Sequence, residues 1–388
     1  MLKRLKHQLL ATMVCAGLAG GASAAGVTAN EIVLGTHLDL SGPVAAGMPS
    51  IRNGMQMRLD EANDAGGVHG RKFRLVVEDN GSQPQMAVRA IDKLLRKDEV
   101  FAIVNAFGSG PNAAVVKRAV DEGAIYFAPW GASSIIRKTA GDSQLLFTAT
   151  PNYDTIMNTG VTWMIDQFKA KKVGYIYQEG PLGALMGEGV KRALTAKGMG
   201  YAAEAGYKAG DIDFSSQVAR MKAADVDLIV LATITRETIG VMTEVKKLGW
   251  TSVKVLTGNP GRTGIVLQLG KDNVEGLYGV GTWKLFTATS GPEPVKAWFA
   301  NYKKKYTNEP DENALLAYAY TDMFVKAVQG AGKDLTADKV VKFLQTNTFE
   351  HPIFYDKQTF KGNHFDPEFV EIDQVKGGAW VSLTKPMK

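Results

Sequence analysis

The feature that most constrains the fold is a repeated alternation of short apolar runs and helix-period segments along 388 residues. EIVLGTHLDL (31–40), KFRLVVE (72–78), VFAIVNA (100–106) and AIYFAP (124–129) read as strands. Between them, Arg52–Ala65, Pro84–Lys97 and Pro111–Glu122 read as helices. Pro84 opens one helix and Gly66-Gly67 closes another, as caps should. After Phe147-Thr148 the pattern restarts: helix 153–168, strand 172–178, helix 183–197, strand 201–207, helix 214–223, strand 227–233, helix 236–248 and strand 254–258. Such βαβα order specifies parallel sheets covered by helices on both faces. Two successive series predict two doubly wound, Rossmann-like α/β lobes.

The tail breaks the rhythm. A strand-like run (276–283) precedes three helices (292–306, 313–330 and 336–345), and two strands (369–375 and 379–383) flank Gly377-Gly378 as a hairpin. Helices without intervening strands cannot extend a parallel sheet. They are expected to return to the first lobe while the last strands cross to the second. The predicted division is 25–148 plus 279–352 for lobe 1 and 149–278 plus 353–388 for lobe 2. The boundary near 148–151 has no low-complexity linker and fits a hinge.

Residues 1–24 read as an export signal. MLKRLKHQ is basic, LLATMVCAGLAGG is apolar but short for a membrane span, and Ala22-Ser23-Ala24 offers a cleavage site. The only cysteine, Cys15, falls inside this segment, and Thr12 stands where a lipoprotein signal needs leucine. A soluble periplasmic product without disulfides is expected. The net charge of +6 includes Lys3, Arg4 and Lys6 of the signal. Clusters such as Lys303-Lys304-Lys305 fit a solvated helix face, so no nucleic-acid partner is expected.

Reactive constellations are nearly missing. No GxSxG elbow, HExxH or strand-linked GxGxxG occurs. The stretch from Gly264 to Gly270-Lys271-Asp272 has one residue too many for a phosphate loop, and Asp stands where Ser or Thr should bind magnesium. Four histidines beyond the signal (His37, His69, His351 and His364) form no metal-ligand spacing. Paired carboxylates such as Asp311-Glu312 read as loop or surface groups. No enzyme activity, metal or cofactor is expected.

Open α/β sheets bind ligands beyond the carboxyl ends of their strands. Three loops there combine small residues with hydroxyls: Ser41-Gly42-Pro43, Gly108-Ser109-Gly110-Pro111 and Pro129-Trp130-Gly131-Ala132-Ser133-Ser134. Each leads into a helix start, where unpaired N–H groups and the helix dipole favour an anion. N-capping by Ser109 and Ser133 explains the same composition. His37 and Asp39 share one strand face and either border the cleft or are buried and hydrogen-bonded.

The segments IVLG…LSGPVAAGM, EANDAGGVHGRKFRLVVEDNGSQPQMAV, FGSG…AVDEGAIYFAPWGAS, DFSSQVARMKAADVDLIVLA and NVEGLYGV, in this order, resemble the periplasmic solute-binding proteins of branched-chain amino acid-type ABC transporters. The resemblance covers nearly the whole chain after the signal. It implies the type I periplasmic binding fold, two lobes joined by a three-segment hinge, with ligand held in the cleft between them and delivered to ABC permease subunits in the inner membrane. A monomer is expected. Amino acid-binding members hold the ligand carboxylate with a serine after the third strand and a Gly-Ala-Thr turn. Ser109 and Gly131-Ala132-Ser133 match these, with Trp130 inserted.

The ammonium side departs from the pattern. The family's Gly-Pro-Glu-Gly turn reads Gly258-Asn259-Pro260-Gly261, without the acid. Aromatic pocket positions become Ala46, Leu182, and Thr233 or Ile234. A dry cleft cannot cheaply hold an ammonium without a counter-charge. The expected ligand is therefore a small carboxylate with a bulky body, an aromatic acid leading. Phe107, Trp130, Tyr153 and Trp283 are candidate apolar walls. Asp39, Asp154 or Glu179 as an ammonium partner keeps amino acids or amides open, and a ligand sensor on the same fold is the other alternative.

Overall fold

The computed structural model describes residues 24–131, 133–149, 152–364 and 369–387. Of residues 1–24, expected from sequence to be an export signal, only Ala24 is described. The first series forms β1 (Glu31–Leu38), α1 (Met48–Asp64), β2 (Lys72–Asp79), α2 (Pro84–Arg96), β3 (Ala102–Val104), α3 (Ser109–Asp121), β4 (Ile125–Phe127), α4 (Ser133–Ala140) and β5 (Leu146–Phe147). Its strands pair in parallel in the order β2-β1-β3-β4-β5. The inner strands β3 and β4 are wholly buried, as a sheet covered on both faces requires. They are shorter than their apolar runs. Asn105 (φ 51°) and Ala128 (φ 52°) take left-handed conformations directly after them and stop the pairing.

The second series gives α5 (Tyr153–Phe168), β6 (Val173–Gln178), α6 (Pro181–Ala196), β7 (Tyr201–Tyr207), α7 (Ser215–Ala223), β8 (Leu228–Ala232), α8 (Thr235–Lys247), β9 (Lys254–Thr257), α9 (Gly264–Gly270) and β10 (Tyr278–Gly281). α10 (Glu293–Lys305), α11 (Glu312–Gly330) and α12 (Ala337–Thr346) then pack in the first core. The short strands β11 (Thr348–Phe349) and β12 (Gln358–Thr359) pair with each other. β13 (Glu371–Lys376) and β14 (Ala379–Ser382) turn through Gly377 and Gly378, both at positive φ, and join the second sheet antiparallel. That sheet runs β14-β13-β10-β9-β8-β6-β7. Two α/β lobes with parallel-rich sheets result, α10 to α12 lying in the first and the last hairpin in the second.

Two boundaries move. Residues 279–281, assigned from sequence to lobe 1, lie in β10 of the second sheet. Residues 353–364, assigned to lobe 2, pack with the first lobe: Ile353, Phe354 and Phe360 belong to its core, and Thr148 bridges His364. The crossings therefore follow β5, follow β10, and precede β13. The 264–272 stretch is helix α9 followed by a 3-10 turn.

Close helix packing explains two glycines. A Cβ on Gly54 of α1 would sit 2.1 Å from the Ala314 carbonyl of α11, and one on Gly189 of α6 would sit 2.0 Å from the Asp154 carbonyl of α5. Asp311 and Glu312, read from sequence as surface groups, are buried at the start of α11. Asp311 caps the helix at Ala314 N (2.8 Å) and accepts from Ser50 Oγ (2.7 Å). No helix among the described residues is long and apolar enough to cross a membrane.

Candidate binding cleft

The carboxyl ends of both parallel sheets point their loops toward one another. α3 and α4 of the first lobe approach α6 of the second. At the rim, Arg236 Nη2 at the start of α8 donates to the Pro43 carbonyl of the first lobe at 3.0 Å.

In the first lobe, the loops after β3 and β4 are laced together. Phe107 and Trp130 form a parallel bridge. Gly108 N donates to Trp130 O (2.9 Å) and Trp130 N to Ala106 O (2.8 Å). Gly131, at φ 146°, lies so close to Ser109 that a Cβ would be 2.8 Å from the serine Cα and 2.9 Å from its Oγ. The sequence-predicted serine and glycine turn are therefore brought together, where α3 and α4 both begin. Their N-terminal amides and dipoles suit an anion. Ala132 lies outside the described residues, as does the side chain of Ser133, which opens α4.

A closed polar network underlies these loops. Tyr126 donates its hydroxyl to Asn112 Oδ1 (2.6 Å), so His37 Nε2, 2.9 Å from that hydroxyl, must be the protonated nitrogen. His37 Nδ1 then accepts from Asn80 Nδ2 (2.8 Å), which also reaches Phe107 O (2.8 Å). Asn112 Nδ2 donates to Ala106 O and Trp130 O, each at 2.9 Å. Burial pushes the His37 pKa down to about 3 and keeps the ring neutral. Of the two readings of His37, the buried and hydrogen-bonded one holds. Asp39 is likewise committed to its own loop, accepting from Gly42 N, Val44 N (3.0 Å) and Ser82 Oγ (2.7 Å). Asp154 Oδ2 pairs with Arg192 (2.8 Å) between α5 and α6.

The expected aromatic walls are mostly packed. Trp130 is 8% exposed, donates from Nε1 to Asn105 Oδ1 (3.0 Å), and meets Tyr320 edge-on. Trp283 is 5% exposed in the second crossing and bridges Phe354. Tyr153 is buried at the start of α5, which raises its hydroxyl pKa. Phe107 is half-buried. Ala46 is exposed on a short 3-10 turn, and Leu182 is buried in the first turn of α6.

The second lobe presents a different chemistry. Thr233 and Thr238 share a 2.6 Å hydroxyl–hydroxyl hydrogen bond. Ile234 precedes α8 and is half-buried, as is Pro260 in the 258–261 turn. The Oγ of Thr257 and Oε2 of Glu237 are buried with no hydrogen-bond partner among the described residues. Burial raises the Glu237 pKa.

Directly after the turn, Arg262 is fully buried. It pairs through Nε with Asp373 of β13, donates from Nη1 to Trp283 O (2.9 Å), and lies 3.5 Å from the Tyr355 hydroxyl. Tyr355 also donates to Glu371 (2.6 Å). One cation thus fastens the β9 turn to two crossing regions. Glu312 Oε1 accepts from Gly264 N (2.9 Å), tying α11 of the first lobe to α9 of the second. Burial and then the neighbouring Asp311 push the Glu312 pKa up to about 8.

Arg262, Glu237, Asn80 and Asn112 escaped the sequence reading. Only Arg262 left a hint, a charge set beside an apolar strand and a Gly-Asn-Pro-Gly turn.

Two α/β lobes with facing strand-end loops and three crossings define a two-lobed ligand-binding protein. The periplasmic binding protein family model matches residues 31–373, and the chain belongs to that family. It is 25% identical over 346 residues to the leucine-, isoleucine-, valine-, threonine- and alanine-binding protein of Pseudomonas aeruginosa, covering 89% of each chain. It is 28% identical over 228 residues to a Leu/Ile/Val-binding protein of Rhizobium johnstonii, a match spanning 59% of both chains. Among solved structures, a fatty acid ABC transporter substrate-binding protein from Thermomonospora curvata superimposes with a TM-score of 0.81 at 24% identity, covering 94% of each chain. A solute-binding protein from R. palustris in complex with benzoate gives 0.81 at 18% identity, covering 91% of this chain and 96% of that one. The fold and family are those of transporter substrate-binding proteins.

Proposed function

We propose that this chain is an exported receptor that carries a small organic carboxylate, foremost an aromatic acid, to ABC permease subunits in the inner membrane. Residues 1–24 direct it to the periplasm and are removed. The ligand sits between the lobes. Ser109, the Gly131-Ala132-Ser133 turn and the amides opening α3 and α4 hold its carboxylate. Phe107 and the edges of Trp130, Tyr153 and Trp283 bound its body, with Ala46, Leu182, Thr233, Ile234 and Pro260 completing the cleft. The ligand is released unchanged. The observation carrying this reading is the contact of Gly131 with Ser109 at a paired helix start, opposite a 258–261 turn that has no acid. The benzoate complex of the R. palustris protein supports the same chemistry.

The curated relatives favour a second reading, an aliphatic amino acid. Asp39 is committed to its own loop, and Asp154 gives one oxygen to Arg192, which weakens it.

A thermal-shift panel separates the two. A ligand at a hundred times its Kd should stabilise the protein by about 2.7 kcal/mol. Benzoates or aliphatic acids are expected to respond. A response to leucine or valine with none to any ammonium-free acid overturns the assignment.

A further inference from the structure

The His37, Tyr126, Asn112 and Asn80 network matches its donors to acceptors, whereas among the buried side-chain atoms without a partner in the described residues are two acceptors at the carboxyl end of the second sheet. Glu237 is 1% exposed. Its carboxyl is held by the main-chain N–H groups of Glu237 and Ile234, the reciprocal half of a helix-start cap. Its Oε2 has no hydrogen-bond partner among the described residues. Thr257, fully buried at the end of β9, likewise has an unmatched Oγ. Gly261 packs on Thr257 and on Thr238, the neighbour of Glu237 in α8: a Cβ there would lie 2.1 Å from Thr257 Oγ1 and 2.5 Å from Thr238 Oγ1. Thr238 is the residue after Glu237, and its hydroxyl already binds Thr233. Arg236, on the other side of Glu237, reaches across to Pro43. The cluster therefore lies at the cleft-facing end of the sheet, next to the rim contact.

Buried acceptors without donors are uncommon, and a carboxyl oxygen keeps its acceptor capacity in either protonation state. We propose that Glu237, with Thr257, is the second polar anchor of the cleft and accepts a hydrogen bond from a donor group, a hydroxyl or an amine, on the ligand end remote from its carboxylate. This rests on the carboxylate-receptor reading and specifies the ligand further: an acid carrying a distal donor is preferred over its bare counterpart.

The test is calorimetric titration of the full exported chain with matched pairs: 4-hydroxybenzoate and 4-aminobenzoate against benzoate, and 6-hydroxyhexanoate against hexanoate. In the wild type, the donor-bearing member of a pair binds more tightly. Glu237→Gln keeps a carbonyl for the helix cap and weakens that member about ten- to hundred-fold, leaving the bare acid within about threefold. Thr257→Val shifts the same ratio in the same direction, and an unchanged melting temperature excludes misfolding. Equal wild-type affinities within every pair, or an equal loss for both members in Glu237→Gln, overturn the inference and leave the carboxylate reading standing. Failure of every acid to bind removes both.

Discussion

The two halves of the cleft are built differently. In the first lobe, the loops after β3 and β4 rest on a network in which His37, Tyr126, Asn112 and Asn80 match donors to acceptors. In the second, the strand ends carry the unmatched oxygens of Glu237 and Thr257. A satisfied network rigidifies what it touches, while an unmatched buried acceptor costs free energy until a partner arrives. On the proposed reading this becomes a division of labour: the first lobe would present a preformed grip for the charged end, and the second would discriminate among bodies.

Four experiments break or sharpen this contrast. The largest effect is expected from Arg262→Met, which leaves Asp373 buried without its cation. It should cost roughly 3–5 kcal/mol of stability, measured by denaturant unfolding. A change within 1 kcal/mol would make the hinge fastening irrelevant.

Acidification comes next. The folded-state pKa of His37 lies near 3, below its unfolded value of 6.5. Its stabilising contribution is therefore complete above pH 6.5 and lost as pH falls toward 3. The loss is about 1.4 kcal/mol per pH unit across that window. Glu312 runs the other way: its raised pKa makes stability fall as pH climbs from the ordinary carboxylate range to about 8. Unfolding free energies of wild type, His37→Asn and Glu312→Gln between pH 4 and 9 separate them. Flat acidic-side differences between wild type and His37→Asn would break the first-lobe half of the contrast.

Ser109→Ala should weaken a carboxylate by roughly 1–3 kcal/mol without altering the melting temperature of the unliganded protein. Unchanged affinity removes Ser109 from the grip. The smallest effect belongs to Arg236→Ala at the exposed rim, below about 1 kcal/mol in affinity. It should act mainly through faster release, read by stopped-flow fluorescence; a loss rivalling that of Ser109→Ala would reverse the ranking of the lobes.

The lobes were legible because hydrophobic periodicity and caps are local signals. Most of the alternation from β1 to β9 follows from them. What was not legible depends on distant partners. Helix α4 is short, so only its start was read, at the end of the 129–134 loop, and the two-residue β5 was not read as a strand. The 353–364 segment carries weak local propensity and is placed by Phe354 against Tyr320 and Phe360 against Phe127. That Ser109 and Gly131 lie together could be expected because small residues at helix starts are recognisable. Glu237 was not, since an acid in the first turn of a helix looks like ordinary capping.

The position of Arg262 constrains any attempt to retune this receptor. Asn259 Oδ1 and Arg262 Nη1 both crowd the same point beside Gly281. A carboxylate grafted at 259 would meet a resident guanidinium before it met any visitor. Exchanging specificity on this scaffold therefore requires rebuilding the pivot together with the pocket.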